Sequence, residues 1–488
     1  MNVLIYVMES LRPDHLGCYG YARPTSQHLD ELAAQGVRFT HAFAQATWTR
    51  PSAGSLLTGC YPVVHGATTM SKSLRRQAPS LARGLRRAGY DTAAFVATGQ
   101  LASQLGFSEG FGHYSELWSD TGKLQHVGEG TERRQLVGDR EVCDECMAWL
   151  RHRNTDRPFL ALLWVAGTHV PYDVPHSRER VFVQDELTCR SLSTLSGVWR
   201  IRGEAACRCL VDMYDESVRM ADRALGQLVT FLKAAGLYDD TLIVVLGDHG
   251  EIFNEHSRGE HWSCARSLRW ASALPGVGGL LRRYRLVNDW QWTGHLDIVP
   301  YDEVVRIPLI FRVPGGDPLG IAADGLVQTV DIAPTVMDLL GIAETVEQFQ
   351  GMSQRPQLQG EQGGWSEVYS DSQRHSYAPR YLSLRTKNWA LVSVTAGSSS
   401  DEHRAVSLRE RLFRAVERSC LPPTLLYRIS DHGWTSVVSG CTTGQAMLER
   451  LNVWELENVS FAEGIAEAPS RDEEEQLVEH LRALGYLE

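Results

Sequence analysis

The sequence predicts an α/β fold: a mostly parallel β-sheet flanked by helices, followed by a smaller C-terminal α+β domain. Short runs rich in Val, Ile and Leu alternate with amphipathic helical stretches, the pattern of strands buried on both faces by crossover helices. A chain of 488 residues, at roughly 150 per domain, has length for two or three folding units. Apolar residues at 43% and charged residues at 22% fall in the ordinary globular range, which argues against disordered and fibrous classes.

Taken in order, the first strand is expected over 2–7, the run Asn2-Val-Leu-Ile-Tyr-Val7, with further strands over 92–97, 158–166, 241–246 and 307–313. Helices are expected over 25–35, 51–58, 79–88, 140–152, 204–234 and 331–340; in the last, Asp331 and Pro334 stand where a first turn accepts them. From about 258 to 293 the alternation breaks into a stretch holding Trp262, Arg266, Trp270, Arg282, Arg283, Trp290 and Trp292. It reads as an insertion: a lid or substrate wall, or else a packed excursion or a contact between copies in a homo-oligomer. The first domain is expected over 1–350. After the Gly- and Gln-rich stretch 351–364, a second is expected over 365–488, with short strands at 366–370, 380–385, 389–394 and 425–429. Its closing helix, Asp472 to Leu484, carries an acidic first turn that suits the helix dipole.

A net charge of −11 leaves no basic excess to draw a nucleic-acid backbone or an anionic lipid surface, so neither nucleic acid nor membrane is expected as a partner. Apolar runs such as Phe159 to Ala166 are too short to cross a bilayer, and the chain opens directly into strand without a charged leader. A cytoplasmic location is the resulting expectation. The ten cysteines form no evenly spaced disulfide ladder, and Cys143-x-x-Cys146 lies in a helical pattern where packed thiols are the simpler reading.

In this fold class ligands gather beyond the carboxyl ends of strands, which singles out three places. Glu9 puts a carboxylate directly after the first apolar run, where a divalent cation could use it; a capping or surface acid is the plainer alternative. The run 241–246 leads into Gly247-Asp248-His249-Gly250-Glu251, where adjacent carboxylate and imidazole suit Mn²⁺, Zn²⁺, Mg²⁺ or Ca²⁺. The later Asp431-His432-Gly433 lacks such a run and shows that the tripeptide can be only a turn. In Thr47-Trp48-Thr49-Arg50-Pro51-Ser52, Pro51 suits a first helical turn and sets Thr49 at or near the N-terminus. Thr49 is then a plain N-cap, or a hydroxyl made nucleophilic by a metal beside an anion-binding helix end.

These segments sit in a longer ordered set: Asn2-Val-Leu-Ile with Arg12-Pro-Asp-His-Leu-Gly-Cys-Tyr-Gly20, Thr49-x-Pro-Ser, Leu57-Thr-Gly-Cys-Tyr-Pro62 and His169-Val-Pro-Tyr172. It continues with Tyr214-Asp-Glu-Ser217, Asp222, Thr241 to Glu251, Tyr301-Asp-Glu-Val-Val-Arg-Ile-Pro-Leu309, Val330-Asp-Ile-Ala-Pro-Thr335 and Leu481-Arg-Ala-Leu-Gly-Tyr-Leu487. Over nearly the whole chain this set resembles the sulfatase family of the alkaline phosphatase superfamily. The resemblance implies an alkaline-phosphatase-like sheet and one divalent metal ion (Mn, Ca, Mg or Zn) held by Glu9, Thr49, Asp248 and His249. Glu9 stands where Asp is usual. Ser10 stands where many members have a second Asp, which lowers the charge around the ion and makes a second metal the lesser expectation.

Departures from the family bear on the reaction. Common sulfatases carry Cys or Ser at the nucleophile position, oxidised to formylglycine, and an Arg four residues on; this chain has Thr49 and Ala53. Threonine cannot give that aldehyde, because its oxidation yields a ketone. A Lys familiar after the strand at 92–97 is replaced by Thr98-Gly99-Gln100, so two cations that hold sulfate are absent. A direct Thr nucleophile is similar instead to the phosphodiesterases, phosphoglycerol transferases and phosphoethanolamine transferases of the superfamily. The expected function is therefore metal-dependent hydrolysis or transfer of a small-molecule phosphoester through a phospho-threonine, since phosphorus tolerates double displacement. The alternatives are action on a sulfate ester or sulfamate without formylglycine, and a non-catalytic binding member. Thr49, His169 and His295 are the candidate catalytic residues, and Arg12, Arg50 and His169 the candidate substrate contacts.

Overall fold

The computed structural model describes residues 1–120, 138–170, 172, 179–183, 204–253, 255, 293–294, 299–315, 320–342, 349–374, 380–395, 424–430, 433–437 and 441–465. The first ten strands are β1 (Asn2–Met8), β2 (Val37–Phe43), β3 (Asp91–Val96), β4 (His113–Glu116), β5 (Phe159–Val165), β6 (Thr241–Gly247), β7 (Ile252–Phe253), β8 (Thr293–Gly294), β9 (Arg306–Arg312) and β10 (Ile321–Gln328). Eight of these form one sheet in the order β10-β2-β9-β6-β1-β5-β3-β4. Every neighbouring pair is parallel except those of β9, which runs antiparallel to both β2 and β6. β7 and β8 pair separately.

β1 shows why the centre of the sheet is legible as an apolar run. All seven of its residues are buried, because side chains alternate between two covered faces. Leu4, Tyr6 and Met8 enter one core with Leu210, Met213 and Leu225 of the Glu204–Ala234 helix. Val3, Ile5 and Val7 enter the other, with Ala53, Leu56 and Leu57 of the Thr49–Thr58 helix and Ile332 and Val336 of the Ile332–Leu339 helix.

The expected strands at 2–7, 92–97, 158–166, 241–246 and 307–313 correspond to β1, β3, β5, β6 and β9, and the six expected helices form within two residues of their expected ends. β2, β4 and β10 of the large sheet are additions, as are the short β7 and β8. In β2 polar Arg38, Thr40 and His41 are only half-buried, and in β10 Asp324 is exposed beside a bulge between Ala323 and Leu326. Such interrupted strands lack the continuous apolar run that marks the sheet centre.

The C-terminal sheet is antiparallel throughout: β11 (Val368–Ser372), β12 (Arg380–Arg385), β13 (Trp389–Thr395), β14 (Thr424–Ser430) and β15 (Gly433–Val437), in that order. β15 was not expected; it pairs antiparallel with β14, with Gly433 opposite Ser430. Nor was the Thr442–Ile465 helix, whose polar surroundings mask a stripe of Met447, Leu451 and Trp454 that packs on Leu382, Leu384 and Leu391 of the sheet. The helix expected at Asp472 to Leu484 and nearly all of the 258–293 insertion lie outside the described residues. No helix among the described residues is long and apolar enough to cross a membrane.

The two sheets meet at the loop that leads into the Thr49–Thr58 helix. Asp371 N–H donates to the Gln45 carbonyl (2.7 Å), and the Thr47 and Ser372 hydroxyls stand 2.7 Å apart. The entry to that helix is thus fixed from the C-terminal side of the chain.

Candidate active site

Parallel pairing of β1 with β6 aligns Met8 with Gly247, so the residues that follow, Glu9 and Asp248, leave the sheet side by side. The chain turns sharply at Ser10, whose φ of 61° is the only positive value among described non-glycine residues. That turn aims the Ser10 N–H at Asp248 Oδ1 (2.8 Å), which also accepts the His249 N–H (2.8 Å). Close backbone approach explains the glycines on either side. A Cβ on Gly247 would stand 2.6 Å from the Leu11 carbonyl oxygen, and one on Gly250 would stand 2.1 Å from that of Glu303.

Thr49 arrives from a third element. Trp48 is the N-cap of the Thr49–Thr58 helix and no side chain caps it, so Thr49 is its first residue and not a plain N-cap. The Thr49 hydroxyl instead donates to Glu9 Oε1 (2.6 Å) and lies 3.2 Å from His249 Nε2. His249 Nδ1 is 2.9 Å from the Gly250 carbonyl, an acceptor only, which assigns the proton to Nδ1 and turns the Nε2 lone pair toward Thr49. Asp248 Oδ2 is 3.3 Å from the same Nε2. Glu9, Thr49, Asp248 and His249 are all at most 3% exposed.

Burial dominates the electrostatics. It drives the Glu9 carboxyl well above the usual range, with the Asp248 carboxylate adding to the effect, and pushes Asp248 up to about 7. Burial also brings His249 down to about 4, so the ring is neutral and available as a ligand. Neither Glu9 nor Asp248 pairs with a Lys or Arg among the described residues, and Asp248 Oδ2 is buried without a hydrogen-bond partner.

This donor set fits a divalent cation. The fit lies in the chemistry of the donors, two carboxylates, a neutral imidazole and a hydroxyl with the Asp248 Oδ2 atom unpartnered among the described residues, while their contacts of 2.6 Å to 3.3 Å are those of a hydrogen-bonded cluster. Among the described residues no group of three or more His, Cys, Asp or Glu side chains forms a ready metal cage. In this cluster the Thr49 hydroxyl stands between Glu9 Oε1 (2.6 Å) and His249 Nε2 (3.2 Å).

The remaining candidates are placed as follows. Arg12 is 4% exposed and fully engaged: it forks onto Asp14 (3.0 and 2.7 Å), donates to the Glu251 carbonyl (2.8 Å) and reaches Glu255 (2.5 Å). It therefore ties the loop after β1 to the loop after β6. Arg50 is fully buried, with its guanidinium on the carbonyls of Thr69 and Met70 (3.2 and 2.6 Å) and on Gln100 (3.0 Å). His169 follows β5 in the loop whose Thr168 hydroxyl donates to the Glu9 carbonyl, and its Nδ1 is 2.5 Å from the Val170 carbonyl. His295 lies outside the described residues. His65, packed beneath the Thr49 helix against Gly54, is brought down to about 3 by burial and serves Pro51 and Ala67 of the backbone.

Thr168 and the strained turn at Ser10 were not singled out from the sequence. Nothing in the local residue pattern around Ser10 announces a left-handed backbone, which glycine or asparagine would have done.

Comparison with known proteins gives the family. Residues 1–342 match the family model described as Sulfatase, and residues 294–403 match that of the C-terminal region of N-sulphoglucosamine sulphohydrolase. The chain is 23% identical to the Ulvan-active sulfatase of Formosa agariphila, over 70% of this chain and 62% of that protein. It is 20% identical to the N-acetylglucosamine-6-O-sulfatase of Bacteroides thetaiotaomicron, over 80% of this chain and 78% of that one. Among solved structures it is similar to the phosphonate monoester hydrolase of Silicibacter pomeroyi, with a TM-score of 0.62 at 21% identity, covering 93% of this chain and 94% of that chain. The matched sheet, the order of the motifs and the family model over most of the chain lead to one conclusion: this protein belongs to the sulfatase family and is a hydrolase of the alkaline phosphatase superfamily.

Proposed function

We propose that this hydrolase cleaves an ester of a tetrahedral oxyanion by direct attack of the Thr49 oxygen, with one divalent metal ion held by Glu9, Thr49, Asp248 and His249. The observation that carries the reading is the Thr49 hydroxyl itself, buried and bonded to Glu9 at 2.6 Å instead of capping its helix. When bound, the ion supplies the positive charge that favours the alkoxide and stabilises the oxyanion. The protein residues do the rest. Glu9 orients the hydroxyl and accepts its hydrogen bond, and the Gly250 carbonyl fixes the tautomer of His249. The first turn of the ten-residue Thr49–Thr58 helix offers amide N–H groups and the positive dipole end to an incoming anion. Attack forms the Thr49 oxygen–phosphorus bond and expels the alcohol. Water or an acceptor alcohol then displaces the threonine and restores it. His169 is our candidate for protonating the leaving oxygen.

For the central atom, the threonine favours phosphorus: it cannot become formylglycine, and phosphorus accepts two successive displacements. The neighbour named a phosphonate monoester hydrolase suits that reading. Sulfur is the second reading, and the names of the two relatives given above favour it, since each is called a sulfatase and the C-terminal match is to a sulphohydrolase. On names alone the sulfuric ester fits at least as well.

A matched set of aryl phosphate, aryl phosphonate and aryl sulfate, assayed with Mn²⁺, separates the two. Turnover of the phosphorus esters is expected, with a loss of about four orders of magnitude or more in Thr49→Val, the scale of nucleophile removal. Release of sulfate alone would establish the second reading, and undiminished turnover by a folded Thr49→Val would refute the nucleophile.

A further inference from the structure

We propose that Tyr214 is a positioning residue for the metal-ligand cluster, acting through the strained turn at Ser10. This rests on the reading that Glu9, Thr49, Asp248 and His249 hold a divalent ion.

Tyr214 projects from the Glu204–Ala234 helix and is fully buried. Its hydroxyl donates to the Ser10 carbonyl (2.8 Å) and accepts the Arg12 N–H (2.8 Å), so one oxygen clamps both ends of the turn that follows Glu9. That turn needs outside support. A left-handed φ costs a residue with a Cβ roughly 1–2 kcal/mol, and among the described residues the Ser10 hydroxyl makes no hydrogen bond that would offset it. What the turn yields is the Ser10 N–H on Asp248 Oδ1, which leaves Oδ2 facing His249 Nε2. Tyr214 therefore sets the orientation of a ligand it does not touch.

The ring has little freedom to carry its hydroxyl elsewhere. Phe253 and His15 pack at 4.9 and 5.0 Å between centroids and Tyr172 at 5.5 Å, and His15 is itself held by Asp215 at 2.7 Å. Tyr214→Phe keeps this aromatic box and removes only the clamp. Tyr6→Phe is the matching control: it deletes another buried hydroxyl, bonded to the Ala221 carbonyl (3.3 Å), without touching the turn.

The test is Mn²⁺ affinity of the resting protein, measured by calorimetric titration without substrate, beside kcat and KM for an aryl ester. Removal of a group that orients a metal ligand weakens binding by about ten- to hundredfold. That loss is expected for Tyr214→Phe, with kcat falling more than KM rises, and is not expected for Tyr6→Phe. Ser10→Gly, placed in the Tyr214→Phe background, is expected to recover affinity, because glycine adopts positive φ without the penalty. Ser10→Val penalises the same turn independently and is expected to weaken Mn²⁺ likewise. Wild-type affinity in Tyr214→Phe or Ser10→Val overturns the proposal, as does an equal loss in Tyr6→Phe or no recovery in the double variant. Wild-type protein that takes up no divalent ion overturns the metal reading, a separate failure that removes this proposal with it.

Discussion

Gly250→Ala tests whether backbone crowding sets the position of the His249 imidazole. A Cβ at Gly250 would stand 2.1 Å from the Glu303 carbonyl oxygen and 3.0 Å from its carbon, with Arg12 Cγ at 3.3 Å on another side. An ordinary carbon–oxygen contact is about 3.3 Å, so the loop after β6 or the Asp302–Val305 helix must retreat by about 1 Å. The two are tied by the Gly250 N–H to the Val304 carbonyl (2.6 Å) and the Glu251 N–H to the Glu303 carbonyl (3.0 Å), so the shift breaks or drags both bonds. Because His249 Nδ1 is held on the Gly250 carbonyl, the imidazole moves with the backbone. A 1 Å misplacement of a reacting or ligating group costs about a hundredfold in rate, and overpacking costs about 1–3 kcal/mol of stability. The assay is kcat/KM on the preferred aryl ester with Mn²⁺, alongside urea unfolding. Gly464→Ala, with no atom of the described residues within 4 Å of its added Cβ, serves as the control and is expected to leave turnover unchanged. Wild-type kcat/KM in Gly250→Ala would refute the argument that this approach positions His249.

The remaining predictions concern pH and the network beside the site. Burial pushes Asp248 and Asp331 up to about 7 and Glu251 up to about 8, whereas carboxyls of an unfolded chain titrate near about 4. The metal-free native state thus binds more protons between those values, and its stability falls as pH rises through them. Buried His65 and His249, brought down to about 3 and about 4, act in the opposite sense only below about 6.5. Tm in EDTA is therefore expected to fall from about pH 6.5 to about pH 8, and Asp248→Asn to flatten the fall; a rising Tm over that interval would refute the burial argument. Asp215 is fully buried, with Oδ1 2.7 Å from His15 Nδ1 and Oδ2 accepting Tyr21 and Arg23 (both 2.7 Å). Asp215→Asn is expected to cost about 3–5 kcal/mol in urea unfolding, and a cost within experimental error of zero would show the network to be dispensable.

The legible parts of the fold are those where both faces of an element are covered. β1, β5 and β6 read as unbroken apolar runs because helices close on each side, and the long Glu204–Ala234 helix shows its core stripe plainly. β2 and β10 escape because Arg38, Thr40, His41 and Asp324 break the run where the strand is only partly covered. The candidate ligands were legible for a related reason: Glu9 and Asp248 directly follow central strands, where a parallel sheet gathers polar groups.

Residue type thus determined the available chemistry: a hydroxyl that cannot become an aldehyde, two carboxylates and an imidazole, on a sheet of recognisable class. Only the tertiary structure decided where those groups stand. Thr49 could have been an N-cap, and Arg50 could have faced substrate. The β1–β6 register and the docking of the Thr49 helix bring that hydroxyl onto partners 40 and 200 residues away, while Arg50 turns to the carbonyls of Thr69 and Met70. Hydrogen bonding, metal ligation and charge burial all depend steeply on separations of a few tenths of an ångström, and neighbours in sequence do not set those separations between strands.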